Sequence, residues 1–205
     1  NGSGRQRDFS IAERDLEHVS RHTAGQWEEL RGGRVFLTGG TRFFGHWLLE
    51  SLLYTNARLG LGASATILTR NPDAFAEKAP NIASHPSVTL HKGDIATFDF
   101  PRGRFSHVIH AAMESGAIPG GTGSAHPLET NIEGTRHLLE FAARAGAGKF
   151  LLTSSGAVYG MQPAELARIP EDYLIRPDDE TRTPYGEAKR LSELLCVRFS
   201  ETASL

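Results

Sequence analysis

From Arg34 onward, short apolar runs alternate with longer stretches of helical periodicity, and this alternation limits the possible folds more than any other feature of the chain. A strand followed by a helix and another strand brings the chain back in the same direction. Its repetition therefore predicts a parallel sheet covered by helices on both faces. Five strands are expected, at Arg34–Thr38, Ala65–Thr69, Val88–His91, His107–His110 and Lys149–Thr153, rich in aliphatic and β-branched residues and bounded by Gly, Pro, Asp or Ser. Helices are expected from Phe44 to about Leu59, with Trp47, Leu48, Ser51 and Leu52 at near-helical spacing, and from Leu128 to Ala145, stopping at Gly146. A last helix runs from Tyr185 to about Ser200. The fold class is α/β, a doubly wound parallel sheet over residues 34–205, preceded by a helical extension over residues 1–33.

In the extension, Asn1–Gly4 reads as a tag remnant, and Ser10 with Glu13 forms a capping box for a polar helix reaching about Leu30. His18 and His22 share one face of that helix, but two imidazoles without a third ligand read as a solvated face, so no metal is expected. The single cysteine, Cys196, rules out an intrachain disulfide and a cysteine-based zinc site, which fits a reducing compartment such as the cytoplasm. No apolar run is long enough to cross a bilayer, and the N-terminus lacks the pattern of a secretory leader. With 22 basic and 24 acidic side chains the formal charge is -2, which gives no general attraction for nucleic acid or anionic lipid.

The first strand runs into Thr38-Gly39-Gly40-Thr41-Arg42-Phe43-Phe44-Gly45 and then a helix. Such a turn brings backbone N–H groups to the positive end of a helix dipole and suits a dinucleotide pyrophosphate, with Gly39 and Gly45 in the glycine roles. The second strand ends at Arg70, where the adenosine ribose lies in such a fold. A guanidinium there suits a 2'-phosphate, so the charge argument favours NADP over NAD. Asp94, after the third strand, stands at a height where it accepts a hydrogen bond from the adenine amino group, though a turn would also explain it.

Tyr185 and Lys189 stand four apart at the start of a helix and share a face, and Thr153-Ser154-Ser155 ends the fifth strand at the carboxyl edge where these sheets bind ligands. A free tyrosine has a pKa near ~10. Lowering it by about 3 units takes roughly 4 kcal/mol of phenolate stabilisation, which an adjacent ammonium helps to supply. Tyr185 would then move a proton, Lys189 would tune it, and Ser155 would hydrogen-bond the substrate oxygen.

The blocks TGGTRFFG, GDI, VIHAA, NIEGT, LLTSSGAVYG and PYGEAK, in this order, resemble the extended short-chain dehydrogenase/reductase superfamily, and within it the NAD-dependent epimerase/dehydratase family that modifies nucleotide sugars. The resemblance covers about Arg34 to Ser200 and implies a Rossmann fold. It also implies that Gly39, Thr41, Arg42, Phe43, Phe44 and Gly45 line the pyrophosphate, Arg70 the ribose, Asp94 and Ile95 the adenine, and Ala111, Ala112 and Met113 the cofactor beside the fourth strand. Asn131 matches a structural asparagine of the family, and Ser155, Tyr185 and Lys189 match its catalytic triad, the last two also touching cofactor. A nucleotide sugar is the implied substrate, and a homodimer through the helices beginning at Leu128 and Tyr185 is the implied assembly.

Three departures qualify the resemblance. Arg42 replaces the family's middle glycine. Gly156-Ala157-Val158-Tyr159 lacks the Asp-Glu pair of the 4,6-dehydratases, which leaves epimerase, ketoreductase or decarboxylase-like chemistry. Family members also continue well beyond the last helix seen here, so the substrate lobe is expected to be largely absent from this chain. The alternatives are a cofactor-binding sensor without turnover and a reductase of small carbonyl compounds.

Overall fold

A computed structural model describes residues 9–112, 127–173 and 183–203. Its centre is a five-stranded, all-parallel sheet of order β3-β2-β1-β4-β5, with β1 at Arg34–Thr38, β2 at Ser64–Thr69, β3 at Val88–Lys92, β4 at His107–His110 and β5 at Lys149–Leu152. β1 pairs with β2 from Arg34–Ser64 to Thr38–Leu68 and with β4 from Val35–His107 to Thr38–His110. The carboxyl ends of both central strands therefore lie level beside the strand-order reversal, the place where open α/β sheets bind ligands.

The two sheet faces carry separate cores, because successive strand residues point in opposite directions. Leu37 and Ile67 turn to one side, where they join Leu49, Leu52 and Leu53 of α1, the helix at Phe43–Leu59, and Phe75 of α2 at Pro72–Lys78. Phe36 and Leu68 turn to the other, joining Phe98, Phe105 and the α4 helix Pro127–Arg144 through Leu138, Phe141 and Ala142. Phe36 is fully buried at the centre of that side, 4.6 Å from the ring of Phe141 and 5.4 Å from that of Phe98. A short helix α3 spans Pro80–Ala83, and α5, Pro184–Ala203, packs against α4.

The five strands lie within a residue of their expected positions. Helices α2 and α3 were not expected, although their signals are present: Asn71 caps α2 by accepting a hydrogen bond from the Ala74 amide, and Pro72 occupies the first turn.

The expectation for the extension needs correction. Its helix covers only Glu13–His22, and a separate 3-10 turn follows at Gln26–Leu30, with Gly25 between them at φ +92°. Ser10 does not cap that helix, whose N-cap is Ala12. A buried acceptor captures Ser10 instead: the Glu50 carboxylate of α1, 2% exposed, accepts from the Ser10 amide and hydroxyl, both at 2.8 Å, and from the Ile11 amide at 2.7 Å. Phe9 meets Tyr54 edge-on, and Trp27 and Leu30 pack against the α1-side core. Among the described residues, no helix is long and apolar enough to cross a membrane.

Candidate functional site

The loop after β1 has the backbone shape its glycines require. Gly39 has φ +75°, and a Cβ on it would fall 2.6 Å from the carbonyl oxygen of Ala111 and from the amide nitrogen of Ala112, so the turn presses directly on the chain leaving β4. Arg42, the departure from the family glycine, sits at φ -106° and ψ 173° as the N-cap residue of α1, a conformation open to any side chain. The substitution therefore needs no backbone strain, and the guanidinium projects where the family has only hydrogen.

A cleft of about 780 Å³ opens over the carboxyl ends of β1, β2 and β4. Of the residues expected to hold a cofactor, Gly39, Thr41, Arg42, Phe43, Phe44, Gly45, Arg70, Asp94, Ile95, Ala111 and Ala112 all line it; Met113 lies outside the described residues, as does Gly116–Ser124. Phe43 and Phe44 are 70% and 71% exposed at its mouth. Lining cations at Arg42, Arg70 and Lys78 face a single lining carboxylate, Asp94, so the cleft favours an anionic ligand. Asp94 also forms a turn, accepting from the Ala96 amide at 3.0 Å, so the turn explanation accounts for one of its oxygens.

Sequence reasoning missed Thr38, Asn71, Lys78 and His110 as lining residues. Lys78 comes from the unexpected α2 and reaches the Thr41 carbonyl at 3.4 Å. Thr38 and His110 stand within the TGGTRFFG and VIHAA blocks but were given no cofactor-facing role, although a polar residue ending an otherwise apolar strand on this edge was the available signal.

The expected catalytic residues lie beside this cleft, beyond its lining. Ser155 follows β5 and caps the 3-10 turn Gly156–Tyr159, its hydroxyl accepting from the Ala157 amide at 3.2 Å. Tyr185 and Lys189 share the first turns of α5, and the Lys189 Nζ lies 5.9 Å from the centroid of the Tyr185 ring. Thr183 steadies this end by accepting from the Gly186 amide at 3.0 Å. A Cβ at Gly186 would fall on the Ala157 carbonyl oxygen, so glycine is what lets α5 approach the turn that carries Ser155.

Lys189 is 1% exposed and donates to the carbonyl of Thr153. Burial pushes its pKa down to about 8, against a smaller upward pull from Glu193. His110, also 1% exposed, is driven down to about 3, chiefly by burial and then by the charge of Lys189, and is neutral at physiological pH.

Comparison with known proteins bears on the fold and the family. The chain is 29% identical over 174 residues to a dTDP-glucose 4,6-dehydratase of Streptomyces antibioticus, covering 83% of this chain and 50% of the relative. It is 31% identical over 170 residues to UDP-glucose 4-epimerase 4 of Oryza sativa subsp. japonica, covering 79% and 43%. The crystal structure of a dTDP-glucose 4,6-dehydratase from Streptomyces venezuelae with NAD bound superposes with a TM-score of 0.67 at 26% identity, over 84% of this chain and 53% of that one. The chain thus spans about half the length of the curated relatives it matches. The family model matching residues 35–205 is that of the NAD dependent epimerase/dehydratase family, and the chain, with its parallel sheet and glycine turn, belongs to that family.

Proposed function

We propose that this chain forms the cofactor half of an NAD(P)-dependent epimerase or reductase of a nucleotide sugar. The observation that carries the reading is the placement of Tyr185 over Lys189 on α5, beside Ser155 and next to a cleft lined by cations and by the Gly39 turn. The cleft suits a dinucleotide, since the backbone of the Gly39 turn is bare of side chain against Ala111 and Ala112, and Arg42 stands at the N-terminus of α1.

A nicotinamide, when bound, supplies the hydride acceptor or donor. The protein's part is proton management. Tyr185 takes or returns a proton at its phenolic oxygen, with the Lys189 ammonium held against its ring from the Thr153 carbonyl. Ser155 accepts the Ala157 amide through one lone pair and keeps a hydroxyl proton to donate to the substrate oxygen. The absence of an Asp-Glu pair after Ser155 favours epimerisation or reduction over dehydration. The exposed apolar stripe on α5, Leu191, Leu194 and Val197, supports a homodimer through α4 and α5.

Arg70 and Lys78, both exposed at the ribose end of the cleft, favour NADP, although the related Streptomyces venezuelae structure holds NAD. Titration calorimetry tests this. The chain should bind NADP more tightly than NAD, and Arg70→Asp should weaken NADP at least about tenfold more than NAD, the scale of one charge-assisted contact. Equal binding of both cofactors before and after the change rejects the preference, and failure to bind either rejects the cofactor reading. A second reading, a cofactor-binding module without turnover, rests on Ser155, Tyr185 and Lys189 lying outside the cleft lining. Its signature would be cofactor binding unaffected by UDP- and dTDP-sugars.

A further inference from the structure

A buried chain of hydrogen bonds crosses the molecule from the cofactor-facing loop to the helix that carries Tyr185. It begins at the Ala112 amide, which donates to the Thr38 hydroxyl at 3.1 Å. Thr38 Oγ1 lies 2.9 Å from Nδ1 of His110, and His110 Nε2 lies 3.2 Å from the Thr135 hydroxyl on α4. Thr135 is positioned to donate to the Asn131 carbonyl at 2.8 Å, and it touches the Ser192 hydroxyl of α5 at 3.1 Å. Ser192 in turn donates to the carbonyl of Ala188, the residue before Lys189. Thr38, Thr135 and Ser192 are fully buried.

Counting protons sets the direction of this chain. Thr38 accepts from the Ala112 amide and, among the described residues, has His110 Nδ1 as the acceptor for its own hydrogen, so the neutral ring carries its hydrogen on Nε2 and gives it to the Thr135 oxygen. Thr135 and Ser192 share the remaining hydrogens between each other and the Asn131 and Ala188 carbonyls, and in either arrangement the Thr135 oxygen accepts from His110. The His110 backbone makes a parallel connection, since its carbonyl accepts from both the amide and the hydroxyl of Thr153, whose own carbonyl receives Lys189.

We propose that His110 is a positioning residue that, as the Nε2–H tautomer between Thr38 and Thr135, holds the Ala111–Ala112 wall of the cleft in register with the helix bearing Tyr185 and Lys189. The role of that helix rests on the function proposed above; the hydrogen-bond chain itself does not. An apolar ring at this position would fill the volume and leave Thr38 and Thr135 without their shared partner. The cleft wall would then loosen locally while the sheet stayed paired.

Nitrogen-15 NMR of the histidine rings tests the tautomer in the unaltered protein, and amide hydrogen exchange with calorimetry tests the positioning. His110 should show the Nε2–H pattern with no titration between pH 8 and pH 5. His110→Phe should speed exchange at the Ala112 amide about tenfold or more and weaken NAD or NADP by a similar factor, while the Val35–Leu37 amides stay as protected as before. His110→Asn, whose amide oxygen takes the place of Nδ1, should recover most of the Ala112 protection. An Nδ1–H tautomer, titration near pH 6.5, unchanged exchange at Ala112, or equal losses throughout the sheet would each overturn the proposal. A protein that binds neither cofactor yet shows the expected tautomer and exchange pattern would overturn the functional reading and leave the positioning role standing.

Discussion

The chemistry proposed here depends most on two residues of one helix. Tyr185→Phe removes only the phenolic oxygen and leaves Lys189 on the Thr153 carbonyl, so cofactor affinity should change little, while turnover falls by on the order of 10²-fold or more; a steady-state assay beside a cofactor titration separates the two effects. His110 makes a second prediction at this scale. Its folded pKa of about 3 lies below its ordinary value of 6.5, so below pH 6.5 the unfolded chain binds a proton that the folded one refuses. Stability contributed by the neutral ring is therefore complete above pH 6.5 and is lost as pH falls toward 3, with a slope of up to about 1.4 kcal/mol per pH unit. Urea unfolding at pH 7, 6, 5 and 4 should show that slope in the unaltered chain and a shallower one in His110→Asn. These two sites differ in how far sequence could reveal them. Tyr185 and Lys189 were legible because a four-residue spacing on a helix is a local fact, whereas the role of His110 arises from partners 72 and 25 positions away.

At the scale of elements, the sheet was readable because β1 and β2 are short, largely apolar runs ended by a breaker and buried on both faces, and the same spacing of short runs and breakers recurs in the other three strands. The N-terminal helix was misread for a similar reason in reverse. Ser10 and Glu13 satisfy the spacing of a capping box, but the competing acceptor, Glu50, lies 40 residues away and cannot be seen from local spacing. The buried Glu50 carboxylate gathers three donors from residues 10 and 11, with His46 Nε2 at 3.1 Å, and thereby fastens the extension to α1. Glu50→Gln keeps the shape but turns one acceptor into a donor against these N–H groups, so it should cost about 2 kcal/mol. Hydrogen exchange at the Ser10 and Ile11 amides should rise, with β1 and β4 unaffected. Loss of protection throughout the sheet would show instead that the extension is part of the main cooperative unit.

For the whole molecule, α5 has one face that the other described residues leave exposed. Leu191, Leu194 and Val197 recur every third residue and are 42%, 51% and 55% exposed, while the opposite side packs on α4 through buried Ala188 and Ser192. Outward on α4 stand Glu133, Arg136 and Glu140, whose two ion pairs are exposed and add little by themselves. An apolar stripe beside mixed charges is self-complementary when two copies meet about a two-fold axis: leucines face leucines at the centre, and Arg136 of each copy can meet an acidic residue of the other at the rim. The homodimer proposed above would bury this stripe. Leu194→Glu places a carboxylate at the centre of the stripe, where a second copy would bring another against it. Light scattering on a sizing column should report twice the chain mass for the unaltered protein and the single mass for the variant, with both equally stable to urea at concentrations where the unaltered chain is monomeric. A single mass for both proteins would show that the stripe serves something other than a second copy, and loss of the cofactor site with loss of the dimer would mean that the pairing of α4 and α5 across the axis also steadies Tyr185 and Lys189.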